Sequence, residues 1–550
     1  MNVSTSSPPC PRTETHDATR TENAAASHPS DSSGWLSLRP GIADLLLVLL
    51  LIGIIHTSQG SMLDDPGVGW HLRNVDAMRA EGTWLSHDPF TWDRQDAVWR
   101  TNQWLGDLVL WAGWRWGGLE GLAAVTAILL ALTLRYLFRI LSREGIPWPL
   151  AWFWTYLAAL GISSSFVARP NVFTILGVMV TASMLDRYHR GACTRRATLW
   201  LLPFMLVWVN THGGFLAGLM MLVAATCLEG ALWLGLPPGN DCCAARGRAI
   251  HLIQLTVAAF VCTLVNPYGL KIYPWIFQLL GNSFFMQFNG EWHSPDFHLL
   301  GAYRLELLLL ALPLLLALGR QRPSLMALGL SLLWLHLGFA SRRYMPLWVV
   351  VTVPLLAGLS ADIPGLKRML KNLGRRLRLT AELKQVLSRP SRQSSPALAA
   401  LACLVLLTWA RWCNDYSYLA PEHIPTAALQ FVLDQYGGQR VFHHHDWGGW
   451  LTWHGWPRAK NWLDDRAEVQ GQRHLMEYQD LIAARGNWEQ TLARRGVEVV
   501  CIPPESSLAW QLASRRVWQE TYRDDYAVVY QHASEPLAAH PPSHPLLESH

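Results

Sequence analysis

Long apolar runs decide what this chain can become. A helix that crosses a bilayer needs ~20 mostly apolar residues. About eleven stretches approach that length, near 41–58, 119–138, 147–165, 171–186, 198–211, 213–235, 250–266, 302–319, 324–340, 345–360 and 396–412. The fold class is therefore an α-helical polytopic membrane protein. Only 15% of residues are charged, against ~25% in soluble domains. The 29 Trp suit the two interfaces of a bilayer.

Arginine and lysine set the expected orientation, because cytoplasmic loops carry their excess. With the N-terminus inside, the inner ends hold Arg135, Arg139 and Arg143, then Arg187, Arg190, Arg195 and Arg196, then Arg246 and Arg248, then Arg320 and Arg322. The stretch 361–395 adds a dense basic run. The segment Trp104 to Trp116 is short and interrupted by Asp107 and Arg115, so it reads as a helix lying on the outer surface. Residues 1–40 are rich in Ser, Thr, Pro and Ala and read as a disordered cytoplasmic segment. Residues 41–412 form the membrane domain, with a long first outer loop at 59–118. The segment near 41–58 is read as a retained anchor.

The tail 413–550 changes composition. Helices near 425–436, 473–484 and 488–495 alternate with strands near 440–443, 461–463, 497–502 and 526–530. That alternation predicts a small α/β soluble domain on the outer face. Nine Cys without a CxxC give neither a zinc site nor a disulfide framework. No basic run interleaved with aromatics points to nucleic acid.

On this topology the unusual polar residues gather at outer helix ends. Asp64 and Asp65 follow the first helix, and Asp88 lies in the loop beyond. Arg169, Asn210, His212, Glu291, Arg342 and Arg343 stand at later turns. Ionisable groups at membrane depth mark a functional cavity by default, although Asn, Pro and Gly at these places also serve ordinary turns. Moving a sugar from a lipid phosphate needs a base for the acceptor hydroxyl. Asp65 is the first candidate, with Asp64 and Asp88 behind it. The leaving phosphate needs cations, and Arg342, Arg343 and Arg169 suit bidentate contact. His71 and His212 are candidates for phosphate or sugar, or for simple capping. The tract His443-His444-His445-Asp446 is a weaker metal signal, since neighbouring strand residues face opposite ways.

These motifs resemble the GT-C superfamily of glycosyltransferases that use polyprenyl-phosphate sugars. The resemblance rests on Asp65-Pro66-Gly67-Val68-Gly69-Trp70-His71-Leu72, on Asp88-Pro89-Phe90, and on the Arg169-Pro170, Asn210–Gly214 and Asn266–Gly269 turns. It extends to Trp447-Gly448-Gly449 and Asp464-Asp465-Arg466 in the tail. It implies a catalytic carboxylate in the Asp64-Asp65 pair and inversion at the sugar carbon. It also implies an extracytoplasmic glycan, lipid or protein acceptor and a possible divalent metal. No W-W-D-Y-G-type acceptor motif is present. The competing classes are a transporter or flippase of an anionic or lipid-linked solute, and a non-catalytic envelope assembly protein. A transporter would carry internal repeats and midplane charges, and the sequence shows neither clearly.

Overall fold

The computed structural model describes residues 48–54, 62–63, 65–299, 302–366, 368–369, 372 and 423–533. Asp64, most of the first apolar stretch, most of the basic run 361–395 and the span near 396–412 lie outside the described residues.

The long apolar runs are helical. After α1 (Val68–Glu81) comes α2 (Trp104–Arg143), then α3 (Trp148–Gly161), α4 (Asn171–His189), α5 (Leu201–Thr211) and α6 (Phe215–Gly235). The series continues with α7 (Asn240–Thr263), α8 (Ile272–Leu280), α9 (Ser283–Phe288), α10 (Tyr303–Leu318), α11 (Leu325–Ala340) and α12 (Met345–Ala361). Trp104–Arg143, Phe215–Gly235 and Arg342–Ala361 are long and apolar enough to cross a bilayer. The others, α9 excepted, pack beside them in one apolar core, in which Trp208, Trp334 and Trp348 are fully enclosed. α2 is broken at Gly117 and Gly118, where Gly118 has φ +63°, a conformation glycine adopts without penalty. The break divides the expected surface helix at 104–116 from the expected span at 119–138.

The tail forms a four-stranded sheet in the order β1-β2-β4-β3, with β1 (Val441–His443) parallel to β2 (Val499–Ile502). β4 (Val528–His532) runs antiparallel to β2 and to β3 (Trp518–Arg523). Its helices are α13 (Thr426–Tyr436), α14 (Gly448–Gly455), α15 (Ala467–Ile482), α16 (Trp488–Arg495) and α17 (Ser507–Ala513). The expected strand at 461–463 is not one. Asn461 makes a single bridge to Thr91, and its amide instead bonds Gly448 O, Thr452 and Asp464. Gly448 and Gly449 open the helix α14. Cys243 is disulfide-bonded, against the sequence expectation.

The tail packs into the upstream chain. Phe285 of α9 lies in the same apolar cluster as Phe442, Trp462 and Tyr530, with Trp92 packed against it. Trp453 of α14 joins the membrane-domain core. α14 crosses α1 where neither side has a side chain. A Cβ on Gly449 would stand 1.6 Å from the Pro66 carbonyl oxygen, and one on Gly69 would stand 1.9 Å from the Gly449 oxygen. This contact seats the tail over the helix ends that carry the polar residues.

Candidate active site

Arg169 is the hub of the polar region. It stands in the link between α3 and α4, just before Pro170 caps α4. Its planar guanidinium offers donors in several fixed directions, and each direction meets a carboxylate from a different segment. Nε donates to Asp65 Oδ1 at 2.5 Å, Nη1 to Glu291 Oε1 at 3.2 Å and Nη2 to Asp465 Oδ2 at 3.0 Å. Burial opposes its charge, but Asp65, Glu291 and Asp465 outweigh burial and push its pKa up. Arg343 Nη1 donates to Glu291 Oε2 at 3.3 Å and lies 5.0 Å over the Trp292 ring. Burial would raise the Glu291 pKa, but Arg169, Arg343 and Arg342 hold it below the usual range. Asp465 goes the other way, because burial there exceeds the help of Arg169.

A cavity of about 720 Å³ opens beside this hub, a volume typical of small-molecule sites. Arg169, Glu291, Arg342, Arg343, His71 and His212 line it, and Trp70, Trp275 and Trp292 give it aromatic walls. Asp65 stands beside the wall rather than on it. Its Oδ1 accepts from Arg169 and from the Gly67 backbone N–H at 2.8 Å, and its Oδ2 has no partner among the described residues.

Two sequence candidates fall elsewhere. Asp88 is wholly buried and already satisfied by Phe90 N, Thr91 N, the Thr91 hydroxyl and Arg466 Nη1. These bonds give Asp88 a structural role, outside the cavity lining. Asn210 is likewise a pin. It accepts from Trp104 Nε1 at 2.8 Å and donates to the Leu206 and Val265 carbonyls. The Asn266–Gly269 segment is turn chemistry, with Asn266 Oδ1 accepting from Tyr268 N. His443 is buried and doubly bonded, to the His444 carbonyl and the Trp462 N–H, and burial lowers its pKa to about 4.

Several residues in and behind the cavity wall were not among the sequence candidates for the site. Asp465 lines the cavity from the Asp464-Asp465-Arg466 motif that carries part of the resemblance. Asp464 and Arg466 pair at 2.6 Å, and both are fully buried. Arg466 also bridges to Asp88 at 2.7 Å and lies over Phe90 and Trp99. Glu468 lines the cavity, and burial pushes its pKa up to about 7. Asp107, visible only as a charge interrupting an apolar run, holds His71 Nδ1 at 2.7 Å.

A divalent metal would need the same carboxylates. Asp65, Glu291 and Asp465 already converge on the Arg169 guanidinium. Among the described residues no group of three or more His, Cys, Asp or Glu surrounds a position for an ion. Among the described residues these carboxylates hold a guanidinium where a cation would stand.

No family model and no curated protein matches the chain. Solved structures do. ArnT from Cupriavidus metallidurans bound to undecaprenyl phosphate aligns over 90% of this chain and 99% of its own, at 16% identity and TM-score 0.47. The oligosaccharyltransferase AglB from Archaeoglobus fulgidus, in complex with an inhibitory peptide and a dolichol-phosphate, aligns over 84% of this chain and 69% of its own. The identity there is 12% and the TM-score 0.51. The AglB likeness shows the fold, so the chain is an integral membrane protein with the GT-C fold.

Proposed function

On this GT-C fold, we propose that the chain is a membrane glycosyltransferase that moves a sugar from a polyprenyl-phosphate donor to an extracytoplasmic acceptor with inversion. The observation that carries this reading is that Arg169, Arg342 and Arg343 stand together in one cavity beside aromatic walls. Arginines suit a leaving phosphate, and flat indole faces suit a sugar ring. AglB, which shares the fold, is bound to a dolichol-phosphate.

In this reading the acceptor hydroxyl attacks the sugar carbon and that carbon's bond to the phosphate oxygen breaks. The phosphate leaves with the electron pair, facing Arg342 and Arg343. The hydroxyl proton goes to a carboxylate. Asp65 takes it on Oδ2 while Oδ1 keeps Arg169 in place, and Pro66 restricts Asp65 to an extended backbone. Asp64 remains the neighbouring alternative.

The test is binding and turnover by the full chain in lipid nanodiscs. Wild type should bind polyprenyl phosphate, and Arg342→Gln and Arg343→Gln should each weaken that binding. With membranes supplying acceptor, Asp65→Asn should slow release of polyprenyl phosphate from its sugar esters by about 100- to 10,000-fold. A wild-type chain that binds no polyprenyl phosphate would remove the reading.

A further inference from the structure

Two histidines line the cavity, and their hydrogen bonds fix them in opposite tautomers. Which nitrogen of a neutral imidazole carries the proton is set by the partner of the other nitrogen.

His212 Nδ1 receives the Gly214 backbone N–H at 3.0 Å. A peptide N–H only donates, so this nitrogen keeps its lone pair and the proton sits on Nε2. Thr174 Oγ1 lies 2.8 Å from the same Nδ1 and itself accepts from Trp208 Nε1. Burial, followed by Arg343, His71 and Arg169, depresses the His212 pKa to about 3, which keeps the ring neutral. His212 therefore shows the cavity an N–H.

His71 is held the other way. Trp99 Nε1 is a donor only, so it fixes Asn74 Oδ1 as its acceptor at 3.0 Å and turns Asn74 Nδ2 toward Asp107 Oδ2 at 2.9 Å. Asp107 thus accepts on Oδ2 and holds His71 Nδ1–H on Oδ1 at 2.7 Å. This is how the aspartate of a Ser-His-Asp triad selects its imidazole tautomer. The Gln103 amide Nε2 lies 3.4 Å from the same nitrogen, too long to compete with the 2.7 Å contact to Asp107. The Trp70 ring stacks on His71 at 3.7 Å, with its own N–H tied to Asp465 at 2.7 Å, which fixes the plane of the pair. His71 therefore shows the cavity a lone pair on Nε2.

We propose that His212 donates its Nε2–H to an oxygen of the donor's phosphate, and that His71 accepts a hydroxyl of the attached sugar on Nε2. This rests on the glycosyltransferase reading and assigns the two ends of its donor. Two further observations put the phosphate at His212. Gly213 and Gly214 line the cavity at the N-terminus of the 21-residue helix α6, whose dipole favours negative charge at that end. Arg343 and Arg169 also act on His212 electrostatically. The sugar end falls at His71, against the Trp70 indole.

The experiment titrates the full chain in nanodiscs with polyprenyl phosphate and with its glucose and mannose phosphodiesters. His212→Phe should weaken every one of these by about tenfold or more, the loss of a hydrogen bond to a charged group. His71→Phe should leave bare polyprenyl phosphate within about twofold and weaken the tightest phosphodiester about fivefold to tenfold, the loss of one neutral hydrogen bond. Equal weakening of bare and sugar-bearing ligands by His71→Phe overturns the assignment while leaving the glycosyltransferase reading intact. So does a wild type that binds neither phosphodiester better than its His71→Phe variant does. A wild type that binds none of the three overturns both. Side-chain 15N resonances of the wild-type chain at pH 7.5, assigned with the same variants, give a readout that does not depend on the variants binding. They should show Nδ1–H for His71 and Nε2–H for His212. Two protons on His71 or one on His212 Nδ1 overturns the proposal.

Discussion

Replacing Arg169 by Gln removes one cation from among three carboxylates. The arginine side chain is 15% exposed, and its partners Asp65, Asp465 and Glu291 are 8%, 12% and 37% exposed. Glu291 is open enough for water to screen most of its loss, and it keeps Arg343. The cost falls on Asp65 and Asp465. Leaving a buried charge without its partner costs about 3–5 kcal/mol, and the variant should lose about that much at pH 8. The sign of its pH dependence follows. Burial already raises the Asp465 pKa, and Arg169 is the largest influence lowering it. Without Arg169 the folded-state pKa rises further above its unfolded value. A carboxyl raised in this way is a stability contribution present at low pH and lost as pH climbs through the folded pKa. The deficit of Arg169→Gln relative to wild type should therefore shrink between pH 8 and pH 5.5. Unfolding of the full chain in mixed micelles, followed by tryptophan fluorescence, measures it. Asp465→Asn combined with Arg169→Gln should be less damaging than the sum of the two, by at least about 1 kcal/mol, because the residues are in direct contact. A deficit below about 1 kcal/mol, or one that grows on acidification, would refute the argument.

Gly449→Ala forces a methyl onto the Pro66 carbonyl oxygen 1.6 Å away. It should destabilise the chain by at least about 2 kcal/mol and expose the tail to limited proteolysis; a protease-resistant variant with wild-type stability contradicts the packing. Arg466→Met strands Asp88 and Asp464, both fully buried, and should cost about 3–5 kcal/mol in the same unfolding measurement. For Glu468, whose pKa is pushed from 4.5 to about 7 by burial, the stability contribution is present below pH 4.5 and lost as pH rises through about 7. Glu468→Gln should accordingly raise the thermal midpoint at pH 8 and leave it unchanged at pH 4.5, and parallel pH curves would count against it.

The membrane helices were legible because a span is a matter of length and apolarity within one segment. The stretch expected at 171–186 is helical over Asn171–His189, and that expected at 345–360 over Met345–Ala361. β3 was missed because Trp518–Arg523 is mostly polar and only Trp518 is buried, so no alternation marks it. The strand expected at 461–463 was read from local β propensity, but long-range bonds of the Asn461 amide decide its geometry. In the site, Arg169, Glu291 and Arg343 were visible as charges at helix ends. Their arrangement was not. Asp465 and Asp107 acquire meaning only through contacts that no sequence period encodes. The pairing of Asp88 was hidden for the same reason, since its partner Arg466 stands 378 positions away.

Arg169 and Asp465 are 296 positions apart. A ribosome adding about 5–20 residues per second needs roughly 15–60 s to cover that separation. For that interval Arg169 exists without its third carboxylate, and the cavity without the wall formed by Asp465, Arg466 and Glu468. The length of the intervening chain thus works as a delay on the site. Nascent chains released before residue 423 should already occupy the membrane yet leave the cavity open on that side. A cysteine-directed label placed at Ser165, which lines the cavity, should react faster in such chains than in the finished protein.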